Sequence, residues 1–300
     1  THRNFNDQEL KFSVIREEMI DLDTLKYLIL LILSHEQYNT EAPGWLVSEE
    51  PHDEAGTQTK GEYIKSRLMC MYKNGRETYK YRYYQKQQGS MEYGGWILQK
   101  PSDYMTSAHA MKRELRANLF YRNYVDVDIE NAFPCLLLGK IESLRFHPDE
   151  YKVLKRYVTQ REGVLEQVMN EKHCSRGVAK KSILALMFKN PDTKFKNLST
   201  FEIAFESEIK SIGEKLLEKE KIKGIKWIEL SPKEHQGAGL SVLLQTMCAD
   251  CLKEGVMELQ RQNCQVGALI FDGCLVKQSN HVSTAIEKVN KKLPTTPEFK

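Results

Sequence analysis

The chain has no hydrophobic run long enough to cross a membrane. Its longest apolar stretch, Tyr27 to Leu33, is far short of the roughly 20 residues a spanning helix needs. No basic segment precedes that stretch, so it does not read as a secretion signal. It reads as a buried helix. No excess of one charge exists either: 44 Lys and Arg stand against 41 Asp and Glu, a net of +3, so overall charge does not mark a nucleic-acid binder. Internal repeats and low-complexity tracts are missing, and a 41% hydrophobic, 28% charged composition excludes whole-chain disorder. The seven cysteines are an odd number scattered through apolar segments, which excludes a fully paired disulfide framework. They suit free thiols in an intracellular, reducing compartment. Thr1 in place of Met is expected of a processed or excised chain.

What is present is unevenly distributed. Residues 8–38 carry apolar positions at helical spacing and predict one or two helices. Residues 39–60 read as loop. Between Lys60 and Lys86 lie eight Lys or Arg and six tyrosines, and Tyr79-Lys80-Tyr81-Arg82-Tyr83 alternates as a strand does. Basic residues interleaved with aromatics suit phosphate contacts with base or sugar packing, and they equally suit a half-buried strand with a solvated basic face. A helix is predicted from Ala108 to Phe120, carrying Arg113 and Arg116, and a strand from Tyr124 to Ile129. Helices follow over 149–172, 176–189, 199–220, 240–262 and 281–292. The segment His235 to Gly239 reads as a loop. Two short strands flank Asp272-Gly273, a strong hairpin signal.

Two aspartates stand out because each ends an apolar strand. Asp128 precedes Asn131-Ala132-Phe133-Pro134, and Asp272 sits at the hairpin turn. A carboxylate is costly to bury unpaired. Two at strand ends are candidates to share a divalent cation, Mg2+ or Mn2+, in a two-metal phosphoryl transfer. Two independent turn aspartates are the plainer reading. Asp126 is expected to turn to the opposite face and take no part. Arg176, Lys180, Leu184 and Phe188 recur at intervals of four and line one helix face, which suits a triphosphate and its base. An amphipathic helix with a basic edge has the same pattern. Cys248 and Cys251 are spaced like metal ligands but have no second pair and read as buried thiols.

The order of these motifs resembles the single-subunit nucleic-acid polymerases, family A above all, over residues 107–292. In that family the fingers helix carries Arg, Lys, an aromatic and Tyr-Gly at intervals of four, matched here by Arg176, Lys180, Leu184 and Phe188-Lys189. A later Gln-to-Lys run is similar to Gln245 through Lys253. The third motif, a His-Asp pair between strands, corresponds to Phe271-Asp272-Gly273. The first motif, Asp128 through Leu136, is similar to that of family B. Departures are Leu184 for an aromatic, Lys189 for glycine, Phe271 for His and Gly273 for a second acid.

The resemblance implies an α+β right-hand polymerase fold, with an antiparallel palm sheet backed by helices and a helical fingers subdomain. Residues 1–106 would be an N-terminal, thumb-like region, 107–140 palm, 141–198 fingers and 199–300 palm again. It implies a template-directed DNA polymerase of viral or mobile-element type, working on primer-template and deoxynucleoside triphosphates, with no membrane partner. Asp128 and Asp272 would hold the metals and Lys180 would join them in catalysis. Arg176, Lys180, Phe133 and Phe188 would bind the nucleotide, with Phe133 excluding ribose. Arg113, Arg116 and Gln245 would contact nucleic acid. The alternatives are a catalytically inactive palm-like replication module and a primase or other two-metal phosphoryl-transfer enzyme.

Overall fold

The computed structural model describes residues 13–52, 57–88, 91–98, 107–188, 197–222, 236–292 and 298–300. The α+β expectation is met: among the described residues, helices are accompanied by two three-stranded sheets. The chain forms two compact units. The first combines Thr1–Tyr84, Trp96–Asp128 and Val256–Ile286. The second combines Gln85–Gly95, Ile129–Gly255 and Glu287–Lys300.

The first unit opens with a difference from expectation. Within the region predicted as helix, Ser13–Met19 is a strand, β1, followed by helix α1 (Leu22–Tyr38). Strand β1 pairs antiparallel with β2 (Thr78–Gln88), running from Ser13 opposite Tyr84 to Met19 opposite Thr78. A long-range partner thus overrides a locally ambiguous pattern. Strand β3 (Met91–Leu98) completes this sheet in the order β1-β2-β3.

The predicted alternation in β2 is present, and it assigns the aromatics to the core. Tyr79, Tyr81 and Tyr83 are buried while Lys80 is exposed. Each buried ring contributes roughly 1.5–3 kcal/mol. These rings are therefore closed to base stacking. Helix α1 is capped by Asp21, whose carboxylate accepts from the amides of Asp23 and Thr24, each at 3.0 Å. Leu25, Leu28, Ile29 and Ile32 are buried, but Tyr27, Leu30 and Leu33 stay exposed, so only one side of the expected buried helix is covered. Helix α2 (Lys60–Asn74) starts in a capping box between Thr59 and Glu62.

The predicted helix from Ala108 is interrupted: Ala108–Ala110 is a 3-10 turn, and α3 (Arg113–Phe120) begins after Lys112. Strands β4 (Tyr124–Asp128), β5 (Val266–Ile270) and β6 (Gly273–Lys277) form the second sheet in the order β4-β6-β5, with both pairings antiparallel.

The second unit is helical: α4 (Ala132–Ser143), α5 (Lys152–Thr159), α6 (Arg161–Lys172), α7 (Arg176–Met187) and α8 (Thr200–Ile222). Helix α9 (Gln236–Arg261) starts earlier than expected, so Gln236 to Gly239 are helix rather than loop. Helix α10 (Val282–Lys292) follows β6. The segment predicted as one helix over 149–172 is two, broken at Gln160, whose backbone leaves helical geometry (φ −129°). Tyr157, Phe201 and Phe205 cluster in the core of this unit, with centroids 5.6–6.2 Å apart. Lys189 and His235 lie outside the described residues. The seven cysteines lie outside any disulfide, with Cys248 and Cys251 buried. Among the described residues no helix is long and apolar enough to cross a membrane.

One buried acid ties the first unit together. Glu18 of β1 is 1% exposed. Its carboxyl accepts from the Tyr83 hydroxyl and, at 2.7 Å, from the Ala108 amide. Burial pushes its pKa from 4.5 up to about 7, against those hydrogen bonds. The folded protein then keeps a proton that the unfolded chain releases, so this stabilising contribution is full below 4.5 and is lost as pH rises through about 7. Urea unfolding measured between about pH 5 and 8 is expected to show falling stability, and Glu18→Gln should flatten that slope. An unchanged slope in the variant would assign the effect elsewhere.

Candidate catalytic hairpin

Strand β4 delivers Asp128 to the edge of a hairpin whose geometry differs from the predicted one. Ile270 pairs with Gly273, so the two turn residues are Phe271 and Asp272. Phe271 takes the left-handed conformation (φ 52°), an uncommon one for an aromatic residue. Gly273 opens β6 and pairs directly with Asp128. Its lack of a side chain serves space rather than turn dihedrals. A Cβ there would lie 2.7 Å from the Val127 carbonyl and closer still to the Asp128 carboxylate. The Asp-Gly signal thus marks the correct hairpin, with the glycine in a different role.

Asp128 is exposed and Asp272 half-buried. Partial desolvation, then the negative charges of Asp126 and Asp272, raise the Asp128 carboxyl to about 6. The guanidinium groups of Arg116 and Arg113 oppose that rise. Two expectations are revised here. Asp126 does not turn away: residues two apart on a strand share a face, and its charge acts on Asp128. Arg113 and Arg116, assigned above to nucleic acid alone, also belong to the electrostatic surroundings of the aspartates. Arg113 is exposed and Arg116 half-buried, with its guanidinium 3.5 Å from the Ala108 carbonyl.

His109 was not singled out from sequence. Its Nδ1 lies 2.6 Å from the Leu269 carbonyl, and its ring lies 5.3 Å from that of Phe271, which is 69% exposed. No local pattern could have found a contact across 160 residues. Among the described residues no three His, Cys, Asp or Glu side chains converge as a metal site.

The remaining candidates lie in the second unit. Along α7, Arg176 and Lys180 are exposed and Leu184 and Phe188 half-buried, so the predicted four-residue rhythm describes one side of the helix. Arg176 grips Glu162 through two hydrogen bonds of 2.6 and 2.9 Å. Lys180 and Lys181 are both exposed, and among the described residues neither forms an ion pair. Phe133, in the first turn of α4, meets Phe188 edge to face, with centroids 5.3 Å apart and planes at 89°. Gln245 on α9 is half-buried, and its amide donates to the Ser241 hydroxyl at 2.9 Å. Its neighbour Thr246 accepts from the Gly94 amide of β3 at 2.8 Å.

No protein-family model matches the chain. A stretch of 184 residues, 58% of this chain, is 29% identical to "Putative helicase V13" of the Sputnik virophage, of which it covers 23%. The chain therefore spans about a quarter of the length of that relative. Among solved structures, the POL domain of Pol1 from M. smegmatis, in complex with DNA primer-template and dNTP, aligns over 94% of this chain and 66% of its own. The TM-score is 0.47 and the identity 9%, a likeness that identifies neither family nor activity.

Proximity of the aspartates has a direct test. Removing the Asp272 charge makes ionisation of Asp128 easier. Carboxyl NMR titration should find Asp128 near pKa 6 in the parent and lower in Asp272→Asn. An unmoved Asp128 in that variant would mean that the two groups do not interact.

Proposed function

We propose that this chain is a template-directed DNA polymerase, a nucleotidyltransferase that extends a primer. The observation that carries the reading is the pairing of Asp128 with Gly273, directly after Asp272 at a tight hairpin turn, where partial desolvation and then the charges of Asp126 and Asp272 raise the Asp128 carboxyl to about 6. The order of motifs around that hairpin supports it. The relative's helicase name supports work on nucleic acid. The chain itself has no Gly-x-x-x-x-Gly-Lys-Ser/Thr run, so P-loop ATP hydrolysis is not read from these residues.

Like-charged carboxylates with hard oxygen donors fit Mg2+ or Mn2+, which take the rest of their shell from water and substrate phosphates. Asp128 and Asp272 would hold the cations, which when bound stabilise the attacking and leaving oxygens of an in-line displacement. In the reaction the primer 3′ hydroxyl gives its proton to water, its oxygen bonds to the α-phosphorus, the bond to the bridging α–β oxygen breaks, and pyrophosphate leaves. Lys180 would meet the negative charge that builds on the leaving group. Arg176 would join it by exchanging its exposed Glu162 partner, an ion pair of little net worth in water. Arg113, Arg116 and Gln245 would contact primer-template. The Phe133 ring, held from the side by Phe188, would sit against C2′ and leave a ribose hydroxyl no room and no hydrogen-bond partner.

Primer extension is the test. Asp272→Ala should abolish extension while template binding persists, and normal extension by that variant would refute the reading. A parent that binds primer-template without extending it would favour the inactive palm-like module. Lys180→Ala should lower kcat on the order of 10²-fold, well beyond Lys181→Ala, whose side chain projects about 100° away. Equal losses would place the triphosphate on another face of α7.

Sugar selection is tested separately. The parent should prefer deoxynucleotides, and Phe133→Ala should admit ribonucleotides. An unchanged preference in that variant would remove Phe133 from the gate.

A further inference from the structure

The residues that follow Asp128 are held by a short segment far along the chain. Ile129 forms an antiparallel bridge with Phe299, and the Glu130 amide donates to the Glu298 carbonyl at 2.7 Å. Lys300 pairs with the Glu130 carboxylate. Phe299 is itself fastened on two further sides. Asn290 of α10 reads its backbone as a neighbouring strand would: its amide NH2 donates to the Phe299 carbonyl, and its oxygen accepts from the Phe299 amide, each at 2.9 Å. The Phe299 ring is 1% exposed and lies against Gly255 of α9, where a Cβ would fall 2.7 Å from its Cε1 atom. An aromatic ring, a backbone bridge and a reciprocal amide pair therefore converge on one residue, from three separate parts of the sequence.

What they hold is the exit of β4. Directly after Ile129 and Glu130, Asn131 takes the left-handed conformation (φ 49°), and its side chain makes no capping hydrogen bond to α4. The turn between Asp128 and Phe133 thus lacks a local cap and depends on partners from elsewhere. A backbone held in a sparsely populated region persists when its surroundings over-determine it. Groups that orient a ligating carboxylate act on metal affinity without touching the metal.

We infer that Phe299, clamped by Asn290 and seated on Gly255, is a positioning residue that sets the Asp128 carboxylate for its cation. The inference rests on the reading of Asp128 as a metal ligand. It places a determinant of the proposed site at the segment 298–300.

The experiment titrates Mn2+ by electron paramagnetic resonance into the whole chain and into Asn290→Ala, Asn290→Asp and Phe299→Ala. Circular dichroism confirms that each is folded at the temperature used, and primer extension is measured in parallel. Asn290→Ala and Phe299→Ala should weaken Mn2+ binding roughly 10-fold or more and lower kcat, with little change in KM for primer-template. Asn290→Asp keeps the acceptor and loses the donor, so it should fall between parent and Asn290→Ala. If Phe299→Ala does not fold, the two Asn290 variants decide. Folded variants with parental Mn2+ affinity would overturn the positioning role while leaving the metal reading intact. A parent that binds no Mn2+ would overturn both.

Discussion

The first unit is organised around a repulsion. Asp126 and Asp128 share one face of a strand, and Asp272 stands at the turn of the neighbouring hairpin. The charges of Asp126 and Asp272 act on Asp128, after its partial desolvation, and the charges of Arg116 and Arg113 oppose them. Such an arrangement persists only if the backbone enforces it. Here the enforcement is steric: Gly273 has no side chain, so the Asp128 carboxylate can lie over it. A cation is the group that would relieve the crowding, which is why the hairpin carries the functional reading.

The surroundings of the hairpin hold it from outside its own sheet. His109 lies against the Leu269 carbonyl and the Phe271 ring. The segment bearing His109 is pinned one residue earlier, where the Ala108 amide donates to buried Glu18. Glu18 belongs to β1, whose partner strand supplies Tyr83. A chain of hydrogen bonds and ring contacts thus runs from the N-terminal sheet to the turn that carries Asp272. The desolvated acid in that chain is costly, and two donors offset the cost.

In the second unit, the contact of Phe133 with Phe188 joins the start of α4 to the end of α7. Helix α7 buries Ala179, Ile183, Leu186 and Met187 and leaves Arg176, Lys180 and Lys181 to solvent. Its apolar side is spent on packing. Its basic side faces solvent, with Arg176 in an exposed ion pair with Glu162.

Much of this was legible in the amino-acid order because it depends on short-range periodicity. The four-residue rhythm of α7, the alternation of β2, the apolar strand ending in Asp128 and the hairpin bearing Asp272 all follow from residues adjacent or one turn apart. Tertiary structure decided the rest. β1 is a strand because a partner 59 to 71 residues away completes its hydrogen bonds. Tyr79, Tyr81 and Tyr83 of β2 are core because the sheet turned that face inward. Gly273 is a space-maker because Asp128, 145 positions earlier, pairs with it. Phe299 reaches the exit of β4 from still farther along the chain. Local sequence carries the propensity of a segment, whereas its partner is chosen by burial and hydrogen-bond satisfaction across the whole chain.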